Sequence, residues 1–242
     1  MIRQIFIIKG YSKSEEELET DRYYAEQYFA FFTSNSGGAY EKEEILYFED
    51  ITTTGFNKTI ENLELNFSIV VLIGHGATQN DNQLFQLNKE EIIKAGQLEI
   101  NADKQLFIVE SCRIQIENIY TVDLNDKISK FKYGGLVRSR IDRNKARQLY
   151  NEQLERCENG LVLCFACSNN ESALNYYFSN VLIQTAFNWH LENCHHFETL
   201  NILNLMNFIT NEVNEIATKE TGRSQNPQII GNLLFPFSVS KF

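Results

Sequence analysis

Short, almost wholly apolar segments separated by helical stretches are the feature that most constrains how this chain can fold. Residues 5–8, 67–73 and 106–109 are β-branched, aromatic or otherwise apolar, with almost no polar alternation. Such a run is typical of a strand that is buried on both faces of a sheet. Residues 45–48 and 161–167 carry the same signature. We therefore expect a central sheet built from these five strands.

The segments between these strands have the periodicity of helices. In residues 15–32, Leu18, Tyr28 and Phe32 recur at near-helical spacing, and the acids of the first turn suit the helix dipole. We expect these aromatic residues to form core rather than a binding platform. Strands that alternate with helices predict an α/β fold, with a mostly parallel sheet covered by helices on both faces. Further helices are predicted at 57–65, 143–156, 175–190 and 200–218, and a final strand at 228–239.

Length and composition limit the classes of partner. The 242 residues, 43% of them hydrophobic, suffice for one α/β core, and we expect a single domain over residues 1–242. A formal net charge of −10 disfavours nucleic acid and anionic membranes as partners. The apolar runs are too short for a membrane span or a signal peptide. Five scattered cysteines, an odd number, favour reduced thiols. The sequence thus predicts a soluble, cytoplasmic protein that acts on a polypeptide.

Two reactive side chains follow directly after two of the predicted buried strands. His75 lies between two glycines after the strand at 67–73, and Cys112 follows the strand at 106–109. Catalytic groups gather at the carboxyl ends of parallel strands, so neighbouring strands would bring these side chains to one rim. A nearby imidazole lowers the pKa of a thiol or accepts its proton. The Gly76 N–H would be free to donate to a developing oxyanion.

At these positions the sequence resembles the caspases and metacaspases. The segment VVLIGHG at 70–76 is similar to their strand and histidine motif, and FIVESCR at 107–113 is similar to their strand and nucleophile motif. Residues 161–173, the helix start at 177–179 and the tail from Asn226 also resemble the family, so that the resemblance covers residues 5–239. It implies a caspase-like three-layer sandwich with no cofactor and no metal.

The resemblance also implies a cysteine endopeptidase. Cys112 would attack a peptide carbonyl and form a thioester, with His75 as the acid and base. The N–H groups of Gly76 and Cys112 would form the oxyanion hole. Glu110 resembles the first-pocket acid of metacaspases, which accept Arg or Lys, and Asp21 resembles a second pocket acid. The implied substrate is therefore a protein cleaved after a basic residue, in a defence or cell-death setting, with a separate activator protein. The oligomeric state stays open.

The chain departs from the family pattern around the nucleophile. Glu110 stands where metacaspases usually have Asp, and Ile114-Gln115 replace the expected small residues. Only 37 positions separate His75 from Cys112, against roughly 50 in caspases. A shortened hairpin and helix would explain this difference. Residues 115–141 are expected to form a mobile linker. The basic residues in and after it suggest a site of self-cleavage or a solvated helix face; they are Arg138, Arg140, Arg143, Lys145 and Arg147.

Several alternatives stand beside this interpretation. Cys164 and Cys167 have the spacing of a zinc motif, and Cys194 precedes two histidines at 195–196, but alternate side chains of a strand do not converge on a metal. Glu110 is alternatively a solvated acid or a partner of Arg113. The whole protein is alternatively a catalytically silent caspase-fold interaction protein. A flavodoxin-like binding domain is disfavoured because no phosphate-binding glycine loop occurs.

Overall fold

The structure, a computed structural model, describes residues 1–80, 82–94, 97–98, 100–115, 142–193 and 196–241. The strands and helices up to the nucleophile motif are β1 (Arg3–Lys9), α1 (Glu15–Thr33), β2 (Ile45–Glu49), α2 (Thr53–Ile60), β3 (Leu65–Ile73), β4 (Gly76–Gln79), β5 (Asn82–Gln86), β6 (Ile92–Lys94) and β7 (Ala102–Glu110). After it follow α3 (Arg143–Arg156), β8 (Gly160–Phe165), α4 (Tyr177–Glu192), β9 (Thr199–Asn201), α5 (Ile202–Thr221), β10 (Gln228–Ile230) and β11 (Pro236–Val239).

A six-stranded sheet with the order β10-β8-β7-β3-β1-β2 forms the centre of the fold. Neighbouring strands from β8 to β2 are parallel, and β10 pairs antiparallel with β8 at one edge. The predicted α/β fold with a mostly parallel sheet is confirmed. The parallel order matters for function because it places the carboxyl ends of β3 and β7 beside each other.

Successive side chains of the central strands point into two separate cores. In β1, Ile5 and Ile7 belong to the core formed with α1, α3, α4 and α5. Phe6 and Ile8 belong to the core formed with α2 and the small three-stranded sheet β4-β5-β6. The predicted core role of the α1 aromatics is confirmed, because Tyr28 is fully buried. Each such large apolar side chain contributes about 1.5–3 kcal/mol on burial. These two cores hold the central sheet rigid beneath the cavity described below.

Three sequence-based predictions are corrected by the structure. The second helix begins at Thr53 instead of residue 57, because the Thr52 hydroxyl caps it by accepting the Gly55 N–H. The predicted tail strand at 228–239 is two strands in two sheets, β10 beside β8 and β11 beside β9. Gly231, with a φ of 108°, lies just beyond β10. Between His75 and Cys112, the described residues form the antiparallel sheet β4-β5-β6 and no α-helix.

Some predictions fall on residues that are not described. The linker positions 116–141, with Arg138 and Arg140, lie outside the described residues, as do Cys194 and His195. In the described part of the chain, no helix has the length and apolar character that a membrane span requires.

Candidate active site

The register of the sheet brings His75 and Cys112 to the same rim. Parallel pairing of β3 with β7 sets Ile73 opposite Glu110. His75 and Cys112 each follow this pair by two residues, so the chain delivers both at the same height above the sheet. Both residues line one cavity of about 130 Å³ at the carboxyl ends of these strands. The arrangement puts a base and a nucleophile at a place where ligands bind in such sheets.

The backbone after His75 leaves one amide directed toward the nucleophile strand. The Gln86 N–H donates to the His75 carbonyl at 2.9 Å, which makes the next pair, Gly76 with Phe85, a non-hydrogen-bonded position of the ladder. The Gly76 N–H therefore points away from β5. Two residues on, the Thr78 N–H has the same direction and donates to the carbonyl of Ile114 at 2.9 Å. The Gly76 amide thus faces the segment that carries Cys112.

A glycine is required at this position by the close approach of the nucleophile turn. A Cβ on Gly76 would lie 2.5 Å from the Ser111 hydroxyl oxygen and 2.9 Å from the Gln83 amide nitrogen. Real Cβ atoms do not approach so closely. The Gln83 amide nitrogen also donates to the Cys112 carbonyl at 3.1 Å and thereby fixes the turn.

The Cys112 thiol is partly buried at the cavity wall. Its Sγ lies 3.9 Å from the carbonyl oxygen of Ala173. Burial raises the pKa of the thiol above its usual value. The resting thiol is therefore protonated at neutral pH, and any nucleophilic chemistry here depends on a base that removes its proton.

The imidazole of His75 has an acidic neighbour that the sequence interpretation missed. His75 Nε2 lies 3.4 Å from Glu17 Oε2, within ion-pair distance. In the sequence, Glu17 is one of several acids in the first turn of α1, and only its spacing of four from Asp21 hints at a shared face.

Glu110 is a buried acid. Its carboxylate accepts the Ser179 N–H at 2.9 Å and the Ser179 hydroxyl at 2.5 Å. Burial raises the pKa of Glu110 to about 7. The interpretations of Glu110 as a solvated acid and as the partner of Arg113 are both wrong. The Arg113 guanidinium instead donates to the side chains of Gln83 and Gln228, at 3.2 and 2.7 Å.

Asp21 is a second buried acid of the same cavity. It accepts hydrogen bonds from the Ser12 hydroxyl at 2.6 Å and from the Tyr176 hydroxyl. Burial raises its pKa above the usual value, and these two bonds act in the opposite direction. Tyr176 has a positive φ of 56° and its ring stacks on Tyr24 at 4.1 Å. The structure therefore places both predicted pocket acids, Asp21 and Glu110, around the cavity of His75 and Cys112.

The paired cysteines of the zinc alternative diverge. Cys164 lies in β8 and points into the helix-covered core. Cys167 lies beyond the strand, with its Sγ 3.3 Å from the carbonyl oxygen of Glu171. Across the described ranges, no group of three His, Cys, Asp or Glu side chains is placed to hold a metal ion.

Comparisons with known proteins agree with this fold. The crystal structure of the Drosophila initiator caspase Dronc is similar, with a TM-score of 0.52 and 10% sequence identity, over 98% of this chain and 81% of that chain. A likeness at this identity shows the fold. No curated protein matches the sequence. The profile of the caspase domain matches residues 6–238, which is nearly the whole chain. The chain therefore belongs to the caspase domain family and is a caspase-like peptidase at the level of that family.

Proposed function

We propose that the protein is a cysteine endopeptidase that cleaves a partner protein after Arg or Lys, with Cys112 as nucleophile and His75 as acid and base. The observation that carries this proposal is one cavity lined by a thiol, an imidazole and two buried carboxyl groups. Family membership supports protein substrates. The buried carboxyl groups support a basic side chain as the group that enters the cavity.

The proposed reaction begins when His75 takes the proton of the Cys112 thiol. The thiolate attacks the carbonyl carbon of the scissile peptide and forms a carbon–sulfur bond. The N–H groups of Gly76 and Cys112 bind the resulting oxyanion, and the outward direction of the Gly76 amide supports this role. His75 then gives the proton to the leaving amine as the carbon–nitrogen bond breaks. Water, deprotonated by His75, hydrolyses the thioester and releases the thiol.

The proposed specificity depends on Glu110 and Asp21. An unpaired guanidinium or ammonium group is costly to bury, whereas a carboxylate in the same cavity forms short, charge-assisted hydrogen bonds with it. Burial raises the pKa of Glu110 to about 7. In a large fraction of the molecules, this side chain is therefore protonated and neutral at neutral pH when the cavity is empty. A bound cation favours the ionised form. We therefore expect basic substrates to bind more tightly as pH rises through about 7.

The deciding experiment is hydrolysis of fluorogenic peptides that carry Arg, Lys, Asp or a neutral residue at the cleaved position. We expect cleavage after Arg and Lys by the wild type and by Cys157→Ala, whose thiol lies just beyond the end of α3 and outside the cavity. Cys112→Ala should be inactive. Glu110→Gln should lose activity on basic peptides more than on neutral ones.

Each other outcome has a definite meaning. Cleavage after Asp or a neutral residue would contradict the role of Glu110 and Asp21 in specificity. The proposed peptidase activity would still stand. Activity that survives in Cys112→Ala would contradict the nucleophile. Silence of every variant, also with candidate activator proteins added, would favour the catalytically silent interaction protein.

Self-cleavage is the activation step that the proposed specificity suggests. A peptidase binds its substrate in extended form, but Arg143 and Arg147 lie in α3. Their guanidinium groups are also engaged, Arg143 with the Thr33 carbonyl at 2.6 Å and Arg147 with Glu44 in a bidentate pair. The predicted cleavage at these two positions is therefore disfavoured. We propose that self-cleavage, where it occurs, uses basic residues upstream of α3.

A further inference from the structure

The carboxylate of Glu17 stands beside the imidazole of His75 at the start of α1. We propose that Glu17 is a positioning residue of the active site, which orients the His75 imidazole and stabilises the imidazolium that forms when Cys112 loses its proton. This inference rests on the proposed function, because it assigns Glu17 a role in the thiol chemistry of that site. It adds a third member to the pair that the sequence predicts.

The sheet order places the three groups in a row. β7, which carries Cys112 beyond its end, lies on one side of β3, and β1 lies on the other side. The chain leaves β1 and enters α1 within a few residues, so the first turn of α1 stands above the end of β1. Glu17 therefore reaches His75 from the side opposite to the nucleophile strand. A nucleophile, a base and a group that orients the base have this arrangement in catalytic triads.

The Glu17 carboxylate is itself held by the start of the helix. The Glu17 N–H donates to the hydroxyl of Ser14, the N-cap residue, at 3.2 Å. Glu17 Oε2, the atom that faces His75, also accepts the Lys13 N–H at 2.6 Å. The first bond fixes the backbone of Glu17, and the second anchors its carboxylate to the backbone of Lys13 and so limits its motion. An acid that is fixed in this way orients an imidazole better than a freely rotating surface acid does.

Other charged groups approach His75, but they have different contacts. From α1, Asp21 is held by Ser12 and by the hydroxyl of Tyr176, a residue that precedes α4. From the end of β7, Glu110 is held by Ser179. The ammonium of Lys13, in the loop before α1, acts to lower the pKa of the Cys112 thiol through its positive charge. Among the described residues, Glu17 is thus the acid whose oxygen contacts the imidazole.

The contact is partly exposed, which limits its effect. The side chains of His75 and Glu17 are 31% and 38% exposed. Water therefore weakens the interaction relative to a buried pair. We expect the loss of the Glu17 charge to slow thiolate chemistry by roughly two- to five-fold. The far larger losses seen when the buried aspartate of a serine peptidase is changed are not expected here.

The test measures the alkylation rate of Cys112 by iodoacetamide, followed by mass spectrometry of the Cys112 peptide across about pH 6 to 9. It needs no peptide substrate. Glu17→Gln keeps an oxygen that accepts the Lys13 N–H and removes only the charge. Glu16→Gln is the matched control, because Glu16 is exposed in the same helical turn. His75→Ala reports whether the imidazole activates the thiol at all.

We expect His75→Ala to slow alkylation most, Glu17→Gln to slow it by about two- to five-fold at neutral pH, and Glu16→Gln to leave it unchanged. The deficit of Glu17→Gln should shrink at high pH, where the thiolate forms without assistance. On a cleaved peptide, Glu17→Gln should lower kcat and leave KM unchanged. Circular dichroism should show that each variant is folded.

Three results would overturn the inference. If Glu17→Gln reacts like Glu16→Gln while His75→Ala is slow, Glu17 only caps α1. If Glu17→Gln raises KM for basic peptides without changing alkylation, Glu17 is a pocket acid. If His75→Ala also reacts like the wild type, the proposed function itself fails, and the role of Glu17 fails with it.

Discussion

Replacing Glu110 by Gln should make the stability of the folded protein less sensitive to rising pH. Glu110 is 3% exposed, and burial raises its pKa from 4.5 to about 7. The folded state therefore holds the proton more tightly than the unfolded chain does. Between pH 4.5 and about 7 the unfolded chain ionises first, so the wild type loses stability as pH rises. Glu110→Gln has no proton to lose at this position and escapes that loss.

The size of the effect follows from the shift in pKa. Each pKa unit corresponds to about 1.4 kcal/mol, so the penalty above pH 7 approaches about 3 kcal/mol. Between about pH 5.5 and about pH 8, the free energy of unfolding of Glu110→Gln should rise by about 2 kcal/mol relative to the wild type. The constant cost or gain of placing an amide beside Ser179 cancels in this difference. The comparison begins above the isoelectric point, near pH 5.0, to avoid precipitation.

The assay is urea unfolding at both pH values, followed by circular dichroism, with linear extrapolation to water. Glu158→Gln is the matched control, because Glu158 is exposed and the variant changes the net charge equally. We expect the free energy of unfolding of that control to change between the two pH values as much as that of the wild type does. A Glu110→Gln difference that is the same at both pH values would refute the reasoning, because it would mean that Glu110 gains or loses no proton on unfolding.

Two further predictions concern the nucleophile turn and the activation step. Gly76→Ala should lower kcat by about 100-fold with the fold retained, because its Cβ would lie 2.5 Å from the Ser111 hydroxyl oxygen. Unchanged kcat would show that the oxyanion hole does not need this close approach. Gly55→Ala in α2 is the control and should keep the wild-type kcat. Self-cleavage should yield fragments whose intact masses place the cut after Arg138 or Arg140. Fragments that end at Arg143 or Arg147 would contradict the protection that α3 provides, and Cys112→Ala should yield no fragment.

Local sequence pattern determined the elements and the rim on which the reactive residues lie. A strand segment buried on both faces is nearly continuous in apolar side chains, so the central parts of β3 and β7 can be identified from the sequence without their neighbours. The carboxyl ends of parallel strands share one edge of a sheet, and this rule alone predicts that His75 and Cys112 lie at the same rim. The single strand predicted for the tail is wrong, because an apolar run does not specify its partner strand.

Only the tertiary structure decided the state of the acids around that rim. Glu110 and Ser179 are 69 positions apart, and Glu17 and His75 are 58 positions apart. No periodicity links such residues, because their contacts depend on how α1 and α4 pack across the sheet. Burial is likewise a property of the packed molecule, and it is burial that raises the pKa of Glu110. The sequence therefore determines which chemical groups reach the rim, and packing determines their ionisation and their partners.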